Sequence, residues 1–325
     1  MNEKISVIIP LYNKRSYIAR ALESVIHQTM QNFEIIIVDD HSTDEGPEIV
    51  KSYHDPRITL VEQEHRGVSF TRNHGVSLAT GNFIAFLDAD DEWMPAHLET
   101  IIGLTKRYPA AGMYATAYKR QTPDGKTRWA EYHGIPNPPW EGLLPDYFKS
   151  GALGDFAVSS STVAIPKKIF HEMGGFLTGY WWGEDVDLFG KIALKYPVAF
   201  SWELGAVYHL DDPGRASTIT PPLDYQEPFI KTARTALIKG EVPQDLTGSL
   251  DEYIWRIESQ RAINNLRAGH PDIAQDILNQ CNTKWHYNEK IKWLLLAKLP
   301  YPLYLFMRNI KTKMNVTRSK RKQAQ

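Results

Sequence analysis

The first hundred residues alternate between short apolar runs and amphipathic stretches. Four apolar runs indicate buried strands, at residues 5–10, 33–40, 57–62 and 83–88. The spacing of apolar residues between them predicts three helices, at residues 16–27, 42–53 and 69–79. Strands that are apolar throughout and separated by helices are typical of a parallel sheet covered on both faces. We therefore predict an α/β fold whose ligands bind beyond the carboxyl ends of the strands.

The second half of the chain predicts a hairpin, one more strand and then mainly helices. An Asp-Gly turn within residues 122–127 indicates the hairpin. Residues 158–166 predict a strand, and Gly174 and Gly175 end the helix that follows it. Four further helical segments are predicted at residues 224–239, 250–268, 271–280 and 288–299. These segments indicate a helical C-terminal region, residues 224–325, appended to the α/β domain.

Charge is distributed unevenly along the chain. The formal net charge is −1, which gives no support to a nucleic-acid partner. From Arg308 onward there are seven Lys or Arg and no acid, so the rest carries about −8. Residues 293–307 mix Leu and aromatic residues with basic ones, which favours peripheral contact with an anionic membrane. The alternative is an ordinary amphipathic helix that packs on the domain, with a disordered tail.

The remaining bulk features favour a cytoplasmic protein, at the cytoplasmic face of the membrane if its C-terminus binds lipid. Cys281 is the only cysteine, so no intramolecular disulfide is possible. The apolar run before Pro10 is too short for the core of a signal peptide. No apolar stretch reaches the roughly 20 residues of a membrane-spanning helix.

Carboxylates gather where the second and fourth strands end. Asp39 and Asp40 follow the second strand, and Asp88, Asp90 and Asp91 follow the fourth. Each pair alone is also typical of a helix cap or a turn. Together they would repel one another, so we expect a cation or a donor-rich ligand among them. Carboxylates suit Mg²⁺ or Mn²⁺ holding a diphosphate, and neither a GxxxxGK[ST] loop nor a GxGxxG motif follows the first strand.

Several separated motifs resemble, in order and spacing, those of family 2 glycosyltransferases with the GT-A fold. They are "SVIIPLYNK", "VDDHSTD", "GVSFTRNHGVSLATGNFIAFLDADD" and "GGF" followed by "GEDVDL". The resemblance covers roughly residues 4–215. It implies a Rossmann-like, mostly parallel sheet flanked by helices, in a catalytic domain of residues 1–223. Residues 1–92 would form its nucleotide-binding half and residues 93–223 its acceptor-binding half.

The same resemblance assigns a nucleotide pocket. Pro10, Tyr12 and Asp39 would line the site of the base and ribose, with Asp39 accepting a hydrogen bond from a uracil-type imide. A carboxylate only accepts hydrogen bonds, so it selects a base edge that donates. Asp40 would take this role in place of Asp39 or cap the following turn. Arg72 resembles the family's arginine beside the nucleotide.

The resemblance also assigns the divalent cation, Mn²⁺ or Mg²⁺. Asp90 would be its direct ligand, with Asp88 nearer the ribose or a metal-bound water. His209 matches a late histidine that some family members place near the metal and diphosphate. A neutral imidazole can bind Mn²⁺, although a structural histidine is the alternative.

Catalysis needs a base for the acceptor hydroxyl. Glu184 and Asp185 lie at a predicted helix N-terminus, where the helix dipole favours their ionised forms. Because the metal assists the leaving group, one positioned carboxylate is enough. We expect Asp185 to be the base, with Glu184 as the alternative. Trp181 and Trp182 would offer flat faces to a sugar ring, or would pack in the core.

These assignments predict an inverting glycosyltransferase that moves a sugar from a nucleotide-sugar donor, a UDP-sugar by the Asp39 argument, to a hydroxyl of a glycan or lipid-linked acceptor. Two other classes stay open. A sugar nucleotidyltransferase would need a glycine-rich basic loop after the first strand, which "PLYNKRSY" lacks. A non-catalytic sugar-nucleotide-binding module is disfavoured because the metal carboxylates and Asp185 are both present.

Overall fold

The computed structural model describes residues 3–215 and 221–306. The chain divides into two compact units. The first comprises Met1–Pro221 and Gln226–Thr247, and the second comprises Pro222–Tyr225 and Gly248–Gln325. Across the described ranges, no helix is both long enough and apolar enough to cross a membrane.

One mixed sheet organises the first unit. Its strands are β1 Ile5–Leu11, β2 Phe33–Asp39, β3 Ile58–Glu62, β4 Phe83–Phe86, β5 Glu92–Trp93, β6 Met113–Gln121, β7 Thr127–Trp129, β8 Glu141–Leu143, β9 Val163–Pro166 and β10 Val198–His209. They are ordered β3-β2-β1-β4-β9-β6-β10-β5, with β7 beside β6 and β8 beside β10. Strands β1 to β4 are parallel to one another and β6 is parallel to β10, whereas β9 runs antiparallel to β4 and β6. This confirms the predicted mostly parallel α/β fold.

Helices flank the sheet of the first unit and make up the second unit. The first unit contains α1 Ile18–Ile26, α2 Gly46–Lys51, α3 Val68–Leu78, α4 His97–Arg107, α5 Tyr147–Leu153, α6 Lys167–Glu172, α7 Glu184–Lys195 and α8 Pro228–Lys239. The second unit is built from α9 Thr247–Ala268, α10 Pro271–Asn279 and α11 Tyr287–Ala297. Residues 301–306 are also helical.

Close packing of α3 on β1 brings polar residues of α3 to the carboxyl edge of the sheet. The side chains of β1 are almost all buried. At Gly75 a Cβ atom would come within 2.5 Å of the Ile8 side chain, so only glycine permits this approach. Asn73, two residues earlier in α3, donates to the Phe176 carbonyl and accepts from the Phe176 amide. These contacts give Asn73 and Gly75 structural roles in seating α3 against the sheet.

Two predicted elements are shorter in the structure. The strand expected at residues 158–166 begins only at Val163, because Ser160–Thr162 form a 3-10 turn capped by Ser159. The helix expected at residues 42–53 is α2, Gly46–Lys51. In both places short polar side chains bond to nearby backbone amides and so compete with regular structure. Asp44, for example, accepts from the amides of Gly46 and Arg15.

Helix α8 packs within the first unit, although the sequence grouped residues 224–239 with the C-terminal helices. The Phe229 ring stacks on Phe148 of α5 with ring centroids 5.9 Å apart. Thr232 donates a hydrogen bond to Asp187 of α7. Gly190 leaves room for the Phe229 ring, which a Cβ atom there would overlap. These contacts depend on residues distant in sequence, and the domain boundary at residue 223 stays a prediction.

The second unit has a core of its own. Its buried residues are Trp255, Ala262, Leu266, Ala274, Ile277, Leu278, Cys281, Ala297 and Tyr304. Trp293, Leu294 and Leu296 of α11 pack against this cluster. Cys281 is a buried free thiol. The unit thus buries one face of α11 by internal packing.

Candidate active site

The strand register places the predicted site residues at one edge of the sheet. Leu11 at the end of β1 lies opposite Asp39 at the end of β2, and Pro10 lies opposite Val38. On the other side of β1, Ile8 lies opposite Phe86, the last residue of β4. The residues that follow these strand ends therefore emerge together, as the parallel sheet predicted.

An aromatic surface lies beside the end of β1. The Tyr12 side chain is 44% exposed, and its ring lies 4.5 Å from the His65 ring between centroids. Asp39 is buried and accepts from the Ser42 amide at 3.2 Å. Pro10 is half-buried within β1. His65 is a residue of this surface that the sequence reasoning missed.

Asp40 organises the loop that leads into α3. Its carboxylate accepts from the amides of Arg66 and Gly67, at 2.8 and 2.9 Å, and from the Gln63 side chain at 2.8 Å. His65 Nδ1 lies 2.9 Å from the same carboxylate. These partners belong to the loop before α3 and not to the turn after Asp40, so both roles expected for Asp40 stay predictions.

Arg72 joins the strand-end acids to the start of α7. It is 4% exposed, and its guanidinium donates to Asp88 at 2.7 Å and to Glu184 at 2.8 Å. Burial lowers the pKa of Arg72, but the two carboxylates outweigh burial and raise it. Burial raises the pKa of Asp88, but the Arg72 guanidinium outweighs burial and lowers it. Asp88 after β4 and Glu184 at the start of α7 are therefore joined through one guanidinium.

Glu184 and Asp185 begin α7, as predicted. The preceding Gly183 has a φ of 73°, which lets the chain turn sharply into the helix. Burial and the adjacent Asp185 raise the pKa of Glu184 to about 7, against the lowering effect of Arg72. Asp185 is half-buried, its pKa is raised by burial, and it accepts from the Val186 amide at 2.8 Å.

Two basic side chains, which sequence reasoning missed, contact Asp90. Lys14 Nζ lies 3.1 Å from Asp90 Oδ2 and also pairs with Asp212, while Arg215 Nη1 lies 3.3 Å from Asp90 Oδ1. Burial and the neighbouring Asp91 raise the pKa of Asp90 to about 7, even with these cations present. Lys14 follows β1 by three residues, which is a signal in the sequence for its location, whereas Asp212 and Arg215 have none.

Asp91 is a buried bridging residue. It accepts from Ser161 Oγ at 2.6 Å, from Arg215 Nη1 at 2.9 Å and from the His209 amide at 3.3 Å. It does not cap a helix, because α4 begins only at His97. Its carboxylate ties β4 to β9 and β10 and holds Arg215 at the site.

The donor set near Asp88 and Asp90 suits a hard divalent cation that takes most of its ligands from water and a diphosphate. Over the described part of the chain, no group of three or more His, Cys, Asp or Glu could hold a metal by protein ligands alone. His209 is buried, and its Nε2 lies 3.0 Å from Glu92. The fit therefore rests on the two aspartates, and metal binding by His209 stays a prediction.

The two tryptophans precede α7 at the same end of the sheet. Their ring centroids lie 6.0 Å apart, and the ring planes meet at 65°. Trp182 Nε1 donates to Glu227 at 3.1 Å, which fixes this ring next to the start of α8. Trp181 is 36% exposed. Trp181 is therefore the better placed of the two to meet a ligand.

Comparison with solved structures shows the same fold. The crystal structure of S. aureus TarS 1-349 in complex with UDP-GlcNAc matches with a TM-score of 0.65 at 20% identity, over 94% of this chain and 87% of that one. The UDP complex of the same protein matches with a TM-score of 0.55 at 17% identity, over 91% and 90% of the chains. The GT-A fold predicted from the sequence is thereby confirmed.

Comparison with sequences shows the family. Glycosyltransferase GlyG of Streptococcus pneumoniae is 30% identical over 184 residues, 53% of this chain and 60% of that protein. Glycosyltransferase YibD of Escherichia coli, itself uncharacterized, is 46% identical over 101 residues, 30% and 29% of the two chains. The matched regions thus span less than two thirds of these relatives. Residues 6–172, just over half of the chain, match the family described as "Glycosyl transferase family 2", so the chain belongs to glycosyl transferase family 2.

Proposed function

We propose that this glycosyltransferase moves a sugar from a UDP-sugar to a hydroxyl of a glycan or lipid-linked acceptor, by metal-assisted single displacement with inversion. The observation that carries the proposal is the pair of hydrogen bonds from Arg72 to Asp88 and Glu184, at 2.7 and 2.8 Å. Through them, the residues suited to a nucleotide diphosphate and those suited to deprotonating an acceptor share one site. A nucleotide-binding module without catalysis would not need the second set.

The residues at the strand ends favour a uridine nucleotide. Tyr12 and His65 offer flat rings beside the buried acceptor Asp39, and an acceptor-only carboxylate favours a base edge that donates. The TarS structures that share the fold hold UDP-GlcNAc or UDP. Asp88, a quarter exposed at this edge, would contact the ribose.

Asp185 is the proposed general base. Glu184 pairs with Arg72, so its carboxylate is engaged in holding the site together. Asp185 shares the helix N-terminus, and its raised pKa moves its proton affinity toward that of a base working near neutrality. As the acceptor oxygen attacks the anomeric carbon, Asp185 takes its proton. Trp181 would hold the acceptor or donor sugar by its exposed ring face.

Negative charge develops on the diphosphate as it leaves, and nearby positive charge would stabilise it. A divalent cation bound by Asp90, with Asp88 nearby, would stabilise the developing charge on the leaving group. Lys14 and Arg215 already reach Asp90. Their positive charges would also favour the phosphate oxygens, since charge-assisted hydrogen bonds to phosphate are strong.

The base assignment is tested with Asp185→Asn, which keeps the shape but removes proton acceptance. We expect turnover to fall by about two to four orders of magnitude with donor affinity nearly unchanged. Glu172→Gln, which changes a surface carboxylate of the same unit, is the matched control and should keep full turnover. Retained turnover in Asp185→Asn together with a loss in Glu184→Gln would transfer the role to Glu184.

The donor and the metal are tested by nucleotide release. UDP-, GDP- and dTDP-sugars are compared for slow hydrolysis with Mn²⁺, Mg²⁺ or excess EDTA, and calorimetry measures UDP binding to Asp90→Ala. We expect UDP-sugars to be hydrolysed, EDTA to stop release, and Asp90→Ala to lose metal-dependent binding while keeping its fold. Full activity in EDTA would refute the metal assignment, and a preference for GDP- or dTDP-sugars would refute the donor assignment.

The proposed site of action is the cytoplasmic face of the membrane. A lipid-linked acceptor presents its sugar there, and the basic C-terminal sequence favours an anionic surface. This location would raise the local concentration of acceptor at the catalytic unit.

A further inference from the structure

Helix α11 exposes an apolar face that the C-terminal unit does not use. Tyr287, Ile291 and Leu295 lie four residues apart, so they share one face of the helix. All three are exposed, Tyr287 and Leu295 by about 60%. The opposite side of α11 contributes the buried Ala297 and packs on the core of the unit. The core is thus complete without the exposed residues, which we call the α11 face.

Two further exposed apolar residues follow α11 in the sequence. Leu303 and Phe306, in the helical residues 301–306, are 45% and 63% exposed. Tyr304 between them is buried in the core, which anchors this segment to the unit. Isolated exposed apolar residues are ordinary, but a run of them over consecutive helical turns marks an interaction surface.

Basic residues flank the α11 face in the sequence. Lys292 and Lys298 are exposed on the helix and at its end. Glu289 is the one acidic residue in the sequence from residue 284 to the C-terminus. The sequence that follows Phe306 carries seven further Lys or Arg and no acid. The surface therefore combines apolar side chains with basic ones and hardly any acidic ones.

We propose that the α11 face, with Leu303 and Phe306, docks on an anionic lipid surface. Apolar side chains with flanking lysines are the composition that enters the boundary between headgroups and acyl chains. The basic sequence after Phe306 adds attraction to anionic headgroups. A second copy of this chain fits poorly, because each copy would bring the same excess of positive charge to the contact.

Docking on lipid does not depend on the proposed catalytic function; only the benefit of docking, access to a lipid-linked acceptor, rests on it. Lipid binding and catalysis are therefore tested separately. The full chain is sedimented with vesicles of phosphatidylcholine alone and with vesicles that contain phosphatidylserine, at low and high salt. We expect binding to the anionic vesicles only, weakened by salt because screening shortens the reach of the charges. Donor hydrolysis is measured in the same preparation without vesicles.

Variants locate the surface. Ile291→Ser combined with Leu295→Ser should lower the vesicle partition coefficient about tenfold or more, because two apolar side chains that the lipid would bury are lost. Ile238→Ser is the matched control, because Ile238 is an exposed apolar residue (87%) on α8, away from the α11 face in the sequence. It should leave vesicle binding unchanged. Both variants should keep the wild-type melting temperature and donor hydrolysis.

Three results would overturn the docking proposal. They are no binding of the full chain to anionic vesicles at low salt, equal losses in the α11 and α8 variants, and concentration-dependent dimerisation that the α11 variant abolishes. Any of these with donor hydrolysis intact leaves the proposed catalytic function standing. Absence of hydrolysis with normal vesicle binding would instead contradict the catalytic proposal alone.

Discussion

Replacing Arg72 by Met should destabilise the first unit through charge rather than through packing. Methionine keeps most of the apolar stem but removes the guanidinium that donates to Asp88 and Glu184. Breaking a buried ion pair from one side leaves an uncompensated charge and costs about 3–5 kcal/mol. The Arg72 side chain is almost fully buried, so solvent cannot replace its contacts.

Two features place the expected loss near the lower end of that range. Asp88 is 28% exposed, so water can solvate part of its charge. Glu184 has a pKa of about 7 and can take up a proton near neutrality when Arg72 is absent. We expect a loss of about 3 kcal/mol in the free energy of unfolding, or roughly 6–12 °C in melting temperature for a unit of this size.

The loss should depend on pH. Without Arg72 the pKa values of both carboxyls rise in the folded state, so the folded state binds more protons than the unfolded state above pH 4.5. Stability then falls as pH rises through those raised values. The destabilisation should therefore be larger at pH 8 than at pH 6, and Glu184→Gln in the same chain should recover part of it.

The assay is thermal unfolding followed by circular dichroism at both pH values. Arg15→Met is the matched control, because Arg15 pairs with Glu45 at a site where both side chains are about 60% exposed; it should change stability by less than about 1 kcal/mol. If Arg72→Met is no less stable than Arg15→Met, or if its loss is the same at pH 6 and pH 8, the buried-charge reasoning is refuted.

Three further predictions concern single side chains. Lys14→Met should tighten Mn²⁺ binding without nucleotide by about tenfold, since it removes a cation from Asp90; an unchanged affinity in an electron paramagnetic resonance titration would contradict this. Burial lowers the pKa of His97 to about 3, so stability should fall from pH 6.5 downward, by about 2 kcal/mol at pH 5, and His97→Gln should flatten that slope in urea unfolding. Burial raises the pKa of Glu34, but hydrogen bonds to its carboxylate outweigh burial and lower the pKa to about 2. The free energy of unfolding of the wild type should therefore fall by up to about 3 kcal/mol between pH 4.5 and pH 2. Equal acid sensitivity in Glu34→Gln would argue against this.

The sequence by itself determined the elements whose signal is local. The strands β1 to β4 and the helices between them follow from the spacing of apolar residues, because a buried face must repeat with the period of its element. The carboxyl-edge location of Asp39 and Asp88 follows from the same pattern, since parallel strands end together. The order of separated motifs identified the family without any contact being known.

Tertiary structure alone decided which charged groups meet. Lys14 reaches Asp90 across 76 positions and Asp212 across 198, and no periodicity encodes such separations. The same applies to His209, which pairs with Glu92. Burying a charge is unfavourable unless a partner arrives with it, so these pairings were selected by the free energy of the whole folded site. That free energy exists only once β9 and β10 have joined the sheet and brought their loops to the strand ends.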